Sequence, residues 1–139
     1  MRAPCFLDTN ILIYAAAGRH DAPEKHNRSV QIIRDEDIRV STQVVGEFLQ
    51  VSRKKYLSVM GIAEINLWAD RLLRLKYTDI DQALIRGALF VAERYEVSFW
   101  DAALVAASER LGAEILYTED LSHRQKYGSV TAINPFRAQ

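Results

Sequence analysis

Residues 4–12 read PCFLDTNIL, and this stretch decides how the fold is interpreted. Its first half is a short apolar run, which is typical of a strand buried on both faces of a parallel sheet. Asp8, Thr9 and Asn10 then end the run. Ligands of open parallel α/β sheets bind outside the carboxyl ends of the strands. We therefore expect Asp8 to lie at the functional edge of the molecule.

The rest of the chain alternates between short apolar runs and helical patterns. Strands are predicted at residues 4–7, 38–40, 114–117 and 130–133, and helices at 11–17, 23–35 and 42–55, with helical stripes at 62–75 and 84–95. Ser98 resembles the start of a capping box that opens an Ala-rich helix, which Gly112 ends. Strands separated by helices imply βαβ units and a parallel sheet. The predicted class is therefore α/β.

Composition limits what kind of protein this is. The length of 139 residues suits one domain, over residues 1–139. Hydrophobic residues make up 49% of the chain and charged residues 26%, and this balance excludes a disordered or low-complexity chain. Cys5 is the one cysteine, so an intramolecular disulfide or a thiolate metal cluster is excluded. Asp8 and Asn10 interrupt the apolar amino terminus, unlike a signal peptide, and no run reaches the roughly 18 apolar residues of a membrane span. We expect a cytoplasmic protein.

Acidic residues recur where a parallel sheet would place its site. Glu119 and Asp120 follow the strand at 114–117, after Thr118, as Asp8 follows the first strand. Glu47 lies on the flank of the apolar face of its helix, roughly 110° from the centre of that face at about 100° per residue. Asp101 lies in the first turn of the Ala-rich helix, whose small residues allow close packing. The sequence thus predicts four acids near one edge.

Each acid also has a purely structural interpretation. Asp8 can cap the following helix, and Asp101 occupies the third position of a capping box. Glu47 can be a solvated flank residue, and Asp120 a turn residue. It is the set, rather than any one member, that indicates a site.

Converging carboxylates need a cation or a shared proton. Two like charges ~4 Å apart repel by about 4 kcal/mol at an effective dielectric of 20. Carboxylate oxygens suit Mg²⁺ or Mn²⁺, which can orient water for phosphodiester hydrolysis. The three histidines show no metal-ligand spacing and are expected at the surface, and Cys5 is expected in the core. A nucleophile elbow, a phosphate-binding loop and a dinucleotide fingerprint are all missing from the sequence.

Five segments together resemble the PIN domain and, within it, the VapC-like toxins of toxin–antitoxin pairs. They are residues 6–12 (FLDTNIL), 45–48 (VGEF), 98–103 (SFWDAA), 116–121 (LYTEDL) and 133–136 (INPF). The resemblance covers almost the whole chain. It implies a three-layer fold with a twisted, mostly parallel sheet of about five strands flanked by helices.

The resemblance also implies an activity and a set of roles. The activity is a Mg²⁺- or Mn²⁺-dependent endoribonuclease, with Asp8, Glu47, Asp101 and Asp120 as the catalytic and metal-binding acids. Asn10 and Thr118 match polar residues of the family that neighbour the acids and support them. Glu119 adjoins the last acid, so either Glu119 or Asp120 faces the metal. Toxin-type members commonly form homodimers and are inhibited by a cognate antitoxin.

Charge is distributed unevenly, although the total is zero. Residues 53–76 carry a net charge of +4, and residues 79–120 carry −6. Arg53, Lys54 and Lys55 are either a favourable helix end or a phosphate-contacting rim beside the acidic site. The second interpretation predicts that these three residues contact RNA.

Two other functions compete with RNA cleavage. One is a PIN-like module that binds RNA or protein without cutting. The other is a phosphoryl-transfer domain, such as a phosphatase or a receiver domain. Haloacid-type phosphatases need a second aspartate two residues after the first, and Asn10 occupies that position here. The sequence therefore disfavours the phosphatase.

Overall fold

A six-stranded sheet forms the centre of the protein, which is described here from a computed structural model over residues 3–137. The strands are β1 (Pro4–Leu7), β2 (Asp37–Ser41), β3 (Lys76–Thr78), β4 (Ile115–Tyr117), β5 (Lys126–Tyr127) and β6 (Val130–Ile133), in the order β3-β2-β1-β4-β6-β5. All neighbours pair in parallel except β5 with β6. The predicted class of an α/β fold with a mostly parallel sheet is confirmed.

Seven helices are present in the described residues. They are α1 (Thr9–Ala17), α2 (Pro23–Asp35), α3 (Thr42–Lys55), α4 (Leu57–Met60), α5 (Ile62–Leu73), α6 (Gln82–Tyr95) and α7 (Phe99–Arg110). Ser41 caps α3 by accepting a hydrogen bond from the Val44 amide at 3.3 Å. Ser98 caps α7 in the same way from the Asp101 amide at 3.2 Å. These caps explain why both helices begin where the sequence predicts.

The central strand β1 lies between β2 and β4. Cys5, Phe6 and Leu7 are completely buried, which accounts for the continuous apolar run and confirms Cys5 as a core residue. The strand order reverses direction along the chain at β1 and β4, so a crevice is expected outside their carboxyl ends. This crevice is where Asp8 and Thr118 begin the segments that follow the two strands.

Several sequence predictions need correction. The sheet has six strands rather than about five, because β3 and β5 escape a search for apolar runs. β3 is an edge strand with two exposed residues, and β5 has only two residues. Helix α1 begins at Thr9 rather than at residue 11. By contrast, Gly112 follows the cap residue Leu111 with a φ of +69°, so it ends α7 as the sequence predicts.

Candidate active site

Asp8 connects β1 to α1 and is held from three directions. Its backbone amide donates to the Tyr117 carbonyl of β4 at 3.0 Å. Its Oδ1 accepts the Thr9 amide at 2.6 Å, and its Oδ2 accepts the Thr118 hydroxyl at 2.8 Å. Asp8 is therefore the helix cap that the structural interpretation predicts, and at the same time a carboxylate fixed at the sheet edge.

Thr118 links two of the predicted acids. Its side chain is completely buried at the carboxyl end of β4. Its hydroxyl donates to Asp8 and accepts a hydrogen bond from the Asp120 amide at 3.0 Å. One hydroxyl group thus sets the position of the Asp8 carboxylate and the turn that carries Asp120.

The Asp8 carboxyl has an unusual affinity for protons. Burial raises its pKa from the ordinary 3.8 to about 7, although the hydrogen bonds from Thr118 and Thr9 oppose the rise. Asp120 raises the pKa further, through its negative charge and through a hydrogen bond to the protonated form. The negative charge of Asp120, an exposed residue, thus acts on the buried Asp8 carboxyl. A shared proton or a bound cation would relieve this repulsion.

Glu119 faces away from this pair. Its Oε1 accepts the Tyr14 hydroxyl at 2.8 Å, and its Oε2 pairs with Lys25 Nζ at 2.6 Å. The hydrogen bond to Glu119 raises the pKa of Lys25. Lys25 also lies over the rings of Tyr14 and Phe136, at 5.0 and 5.3 Å from their centroids. Glu119 is thus bound to Tyr14 of α1 and Lys25 of α2, whereas Asp120 is the acid whose negative charge helps to raise the pKa of Asp8.

Sequence reasoning missed the partners of Glu119. Lys25 and Glu119 are 94 residues apart in the chain, and Tyr14 and Glu119 are 105 apart. No local pattern could have joined them, because only the packing of α1 and α2 beside the loop after β4 brings them together.

Asp101 and Glu47 lie on two different helices, α7 and α3. Asp101 is half-buried in the first turn of α7. Helix α7 leads into β4 through a short turn, so the amino terminus of the helix lies toward the carboxyl edge of the sheet. Glu47 is exposed on α3, and its Oε1 accepts a hydrogen bond from Gln43 at 3.1 Å. This is the solvated flank position that the structural interpretation of Glu47 describes, because the flank of α3 near Gly46 is uncovered.

The remaining predicted residues lie on the periphery. Asn10 is exposed on α1, and Arg53, Lys54 and Lys55 are exposed in the last turn of α3. The histidines are not all at the surface: the His26 ring contacts the Tyr14 carbonyl at 2.9 Å, and His123 accepts the Asn134 amide at 2.9 Å. Both rings are half-buried because each supports a turn, whereas His20 is exposed.

The carboxylates of the site suit a hydrated divalent ion. Across residues 3–137, no three His, Cys, Asp or Glu side chains are close enough as placed to hold a metal among them. Mg²⁺, however, usually binds one or two carboxylates and keeps several waters. The Asp8–Asp120 pair offers such a donor set, and its repulsion is what a cation would relieve.

Comparison with known proteins identifies the relatives of this arrangement. A model of the PIN domain matches residues 5–128. The toxin VapC20 of Mycobacterium tuberculosis, described as cleaving the sarcin–ricin loop, superimposes with a TM-score of 0.65 at 20% identity over 84% of this chain and 89% of that one. No curated protein is significantly similar to the sequence.

Two solved assemblies contain similar chains. A toxin–antitoxin complex from Klebsiella pneumoniae gives a TM-score of 0.72 at 17% identity, over 96% of this chain and 99% of that chain. VapBC2 of Rickettsia felis, bound to a DNA fragment from its promoter, gives a TM-score of 0.64 at 16% identity, over 93% of this chain and 96% of that chain. At these identities the likeness shows a common fold.

Proposed function

This chain belongs to the PIN domain family, and we propose that it is a Mg²⁺- or Mn²⁺-dependent endoribonuclease that hydrolyses RNA phosphodiester bonds. The observation that carries the proposal is the buried Asp8 carboxylate, fixed by Thr118 beside Asp120 at the carboxyl ends of β1 and β4. A metal bound there would supply a water of lowered pKa and positive charge for the scissile phosphate.

The protein's own groups would prepare the site. Asp8 and Asp120 would bind the ion, with Asp101 and Glu47 joining from α7 and α3. The Thr118 hydroxyl keeps one oxygen of Asp8 occupied, so the carboxylate has a fixed orientation. Asn10, at the start of α1, would support the acids as a polar neighbour. Such preorganisation favours the charge that develops during in-line hydrolysis.

We further propose that the protein is the toxin of a toxin–antitoxin pair. The similar chain from Klebsiella pneumoniae comes from a toxin–antitoxin complex, which supports a cognate antitoxin here. Exposed apolar side chains on α4 and α5, including Leu57, Val59 and Leu67, suit a covered surface, such as that of a homodimer. A toxin acting on cellular RNA would work in the cytoplasm. In the part of the chain described, no helix has the length and apolarity needed to span a membrane.

A non-catalytic module that binds RNA or protein is the second candidate. It is favoured by the separation of the acids, since within residues 3–137 no three of them form a ready metal cluster. It predicts RNA binding without cleavage and without divalent-metal binding.

Cleavage of an end-labelled RNA by the purified chain tests the proposal. We expect the parent to cleave the RNA in Mg²⁺ or Mn²⁺ and not in EDTA. The cleavage rate should fall about 100-fold or more in Asp8→Asn and in Asp101→Asn, which is the loss seen when a charge-stabilising group is removed from an active site. Glu64→Gln is the matched control, because Glu64 is exposed in the first turn of α5. Equal cleavage by the parent and the two Asn variants would refute the site assignment.

A further inference from the structure

A groove runs along one face of α3 and ends at a tryptophan of α7. Its volume is about 470 Å³, within the range of small-molecule sites. It is lined by Thr42, Gln43, Gly46, Glu47, Gln50 and Trp100. The groove therefore contains one of the predicted acids, and Trp100 immediately precedes another, Asp101.

Trp100 presents its ring to solvent. The residue is 57% exposed, although tryptophan is usually mostly covered in folded proteins. Phe99 contacts it edge-to-face, with ring centroids 4.9 Å apart and planes at 72°. This contact restrains the indole, so that an exposed ring is held at the end of the groove.

Gly46 keeps the floor of the groove open. It lies within α3, is exposed, and has no positive φ that would require glycine. A Cβ atom at this position would meet nothing within 4 Å. Alanine would thus fit and would favour the helix, so the fold itself gives no reason for glycine here. Close approach of a ligand to the α3 backbone would be a reason for glycine at this position.

The polar groups of the groove match the edges of a nucleobase. Gln43 donates to Glu47 through Nε2, but its Oε1 has no partner among the described residues. Gln50 adds a second amide to the lining, and none of the described lining residues is Lys or Arg. An uncharged aromatic ligand with donors and acceptors therefore fits better than a phosphate.

We propose that this groove binds one unpaired nucleobase of the RNA substrate, stacked on Trp100. The inference rests on the proposed ribonuclease function and adds to it a base-contacting side chain, Trp100. A base inside a duplex is already stacked on its neighbours and is not free to stack on a side chain. A base held by Trp100 would place the adjoining backbone beside Asp101 and Glu47.

Binding is measured in an Asp8→Asn background, which prevents cleavage, with a fluorescein-labelled adenosine decamer and its duplex with a uridine decamer. We expect Trp100→Ala to weaken single-strand binding roughly 5- to 150-fold, the range of base–aromatic stacking. Trp100→Phe should retain most of the affinity, and the duplex should bind weakly to every variant. Phe90→Ala is the matched control, because Phe90 is a 68% exposed aromatic residue on α6. It should bind as the parent does.

The glycine supplies a second, independent test. Gly46→Ala should raise Tm by about 1–4 °C, as for any exposed helical glycine, and yet weaken RNA binding. Gly87→Ala on α6 is its control, since a Cβ there also meets nothing within 4 Å. Gly87→Ala should raise Tm without changing RNA binding.

Three results would overturn the inference. One is unchanged binding in Trp100→Ala, and another is an equal loss in Phe90→Ala. The third is conversion of a dimer to a monomer by Trp100→Ala in analytical ultracentrifugation, which would assign the groove to a second copy of the chain. If the parent cleaves RNA and Asp8→Asn does not, any of these results refutes the base site alone. An absence of cleavage in the parent refutes the proposed function instead.

Discussion

At the carboxyl end of β4, a single hydroxyl group connects two candidate acids. Thr118 donates to Asp8 and accepts the backbone amide of Asp120, while its own side chain is completely buried. The sequence identified this threonine only through its place before the last acid. Its hydrogen bonds depend on β1 and β4 being neighbours, which no local pattern shows.

Removing the Thr118 hydroxyl should impair the site while leaving the fold intact. Thr118→Val keeps the shape but loses the donor to Asp8, so the pKa of Asp8 should rise further above about 7. We expect cleavage to fall roughly 10- to 100-fold and its acidic limb to move to higher pH. Thr118→Ser, which keeps the hydroxyl, is the control. A pH–rate profile identical to the parent's in Thr118→Val would contradict this role.

Asp8 should make stability depend on pH when divalent metal is removed with EDTA. Its pKa is raised from 3.8 to about 7, so between these values the folded state holds a proton that the unfolded state has lost. The free energy of unfolding should therefore be unaffected by this group below pH 4 and fall as pH rises to 7. The loss approaches roughly 4 kcal/mol as an upper limit.

Asp8→Asn should remove this dependence. The variant should match the parent near pH 4 and exceed it by a few kcal/mol at pH 8, as measured by urea unfolding. Asp35→Asn is the control, because Asp35 is exposed and its ion pair within the described residues is the solvent-exposed one with Arg34. A parent whose stability in EDTA stays level from pH 4 to pH 8 would show that the Asp8 carboxyl is not perturbed.

At the scale of elements, α2 and the loop after β4 are joined by the Lys25–Glu119 pair. Tyr14 of α1 binds the same carboxylate, and Lys25 also lies over the ring of Phe136. These contacts hold Glu119, the residue directly before Asp120.

Loosening this pair should lower turnover more than substrate binding. Lys25→Met should decrease kcat about tenfold with little change in KM, because Asp120 would be less precisely placed. Lys25→Arg should recover most of the rate. The control is Arg34→Met, which removes a well-exposed ion pair on the same helix and should have no effect. An equal decrease in both Met variants, or a change in KM alone, would argue against positioning.

Elements with strong periodic patterns were predictable, and those formed by tertiary pairing were not. The helices predicted to begin at residues 23 and 42, and the Ala-rich helix that Ser98 opens, begin where the sequence predicts. By contrast, β3 and β5 are short edge strands with exposed residues, and only pairing with β2 and β6 makes them strands. Asp8 and Asp120 were placed at one edge because both follow buried strands, whereas the exposure of Glu47 depends on what covers α3.

For the molecule as a whole, the neutral total conceals two segments of opposite net charge. The acidic segment of residues 79–120 contributes two of the predicted acids, and the basic segment of residues 53–76 begins at the end of α3. An RNA phosphate would be repelled by the acids alone. A bound cation would reverse that local sign, while basic surface elsewhere attracts the rest of the strand.

The proposed toxin role predicts a cellular effect. Expression of the parent chain should arrest growth, because uncontrolled RNA cleavage halts protein synthesis. Asp8→Asn, produced to the same level, should not, since it keeps the fold but loses a candidate metal ligand. Colony counts after induction measure the difference. If both chains arrest growth equally, the toxicity does not depend on the acidic site.

The central claim is that Asp8 and its neighbouring acids bind a divalent ion. Calorimetric titration of Mn²⁺ into the purified parent chain and into Asp8→Asn, at matched pH and with folding checked by circular dichroism, measures this directly. We expect saturable Mn²⁺ binding in the parent and its loss, or a weakening of at least about tenfold, in Asp8→Asn. The same isotherm in both proteins, or no Mn²⁺ binding in the parent, would contradict the claim.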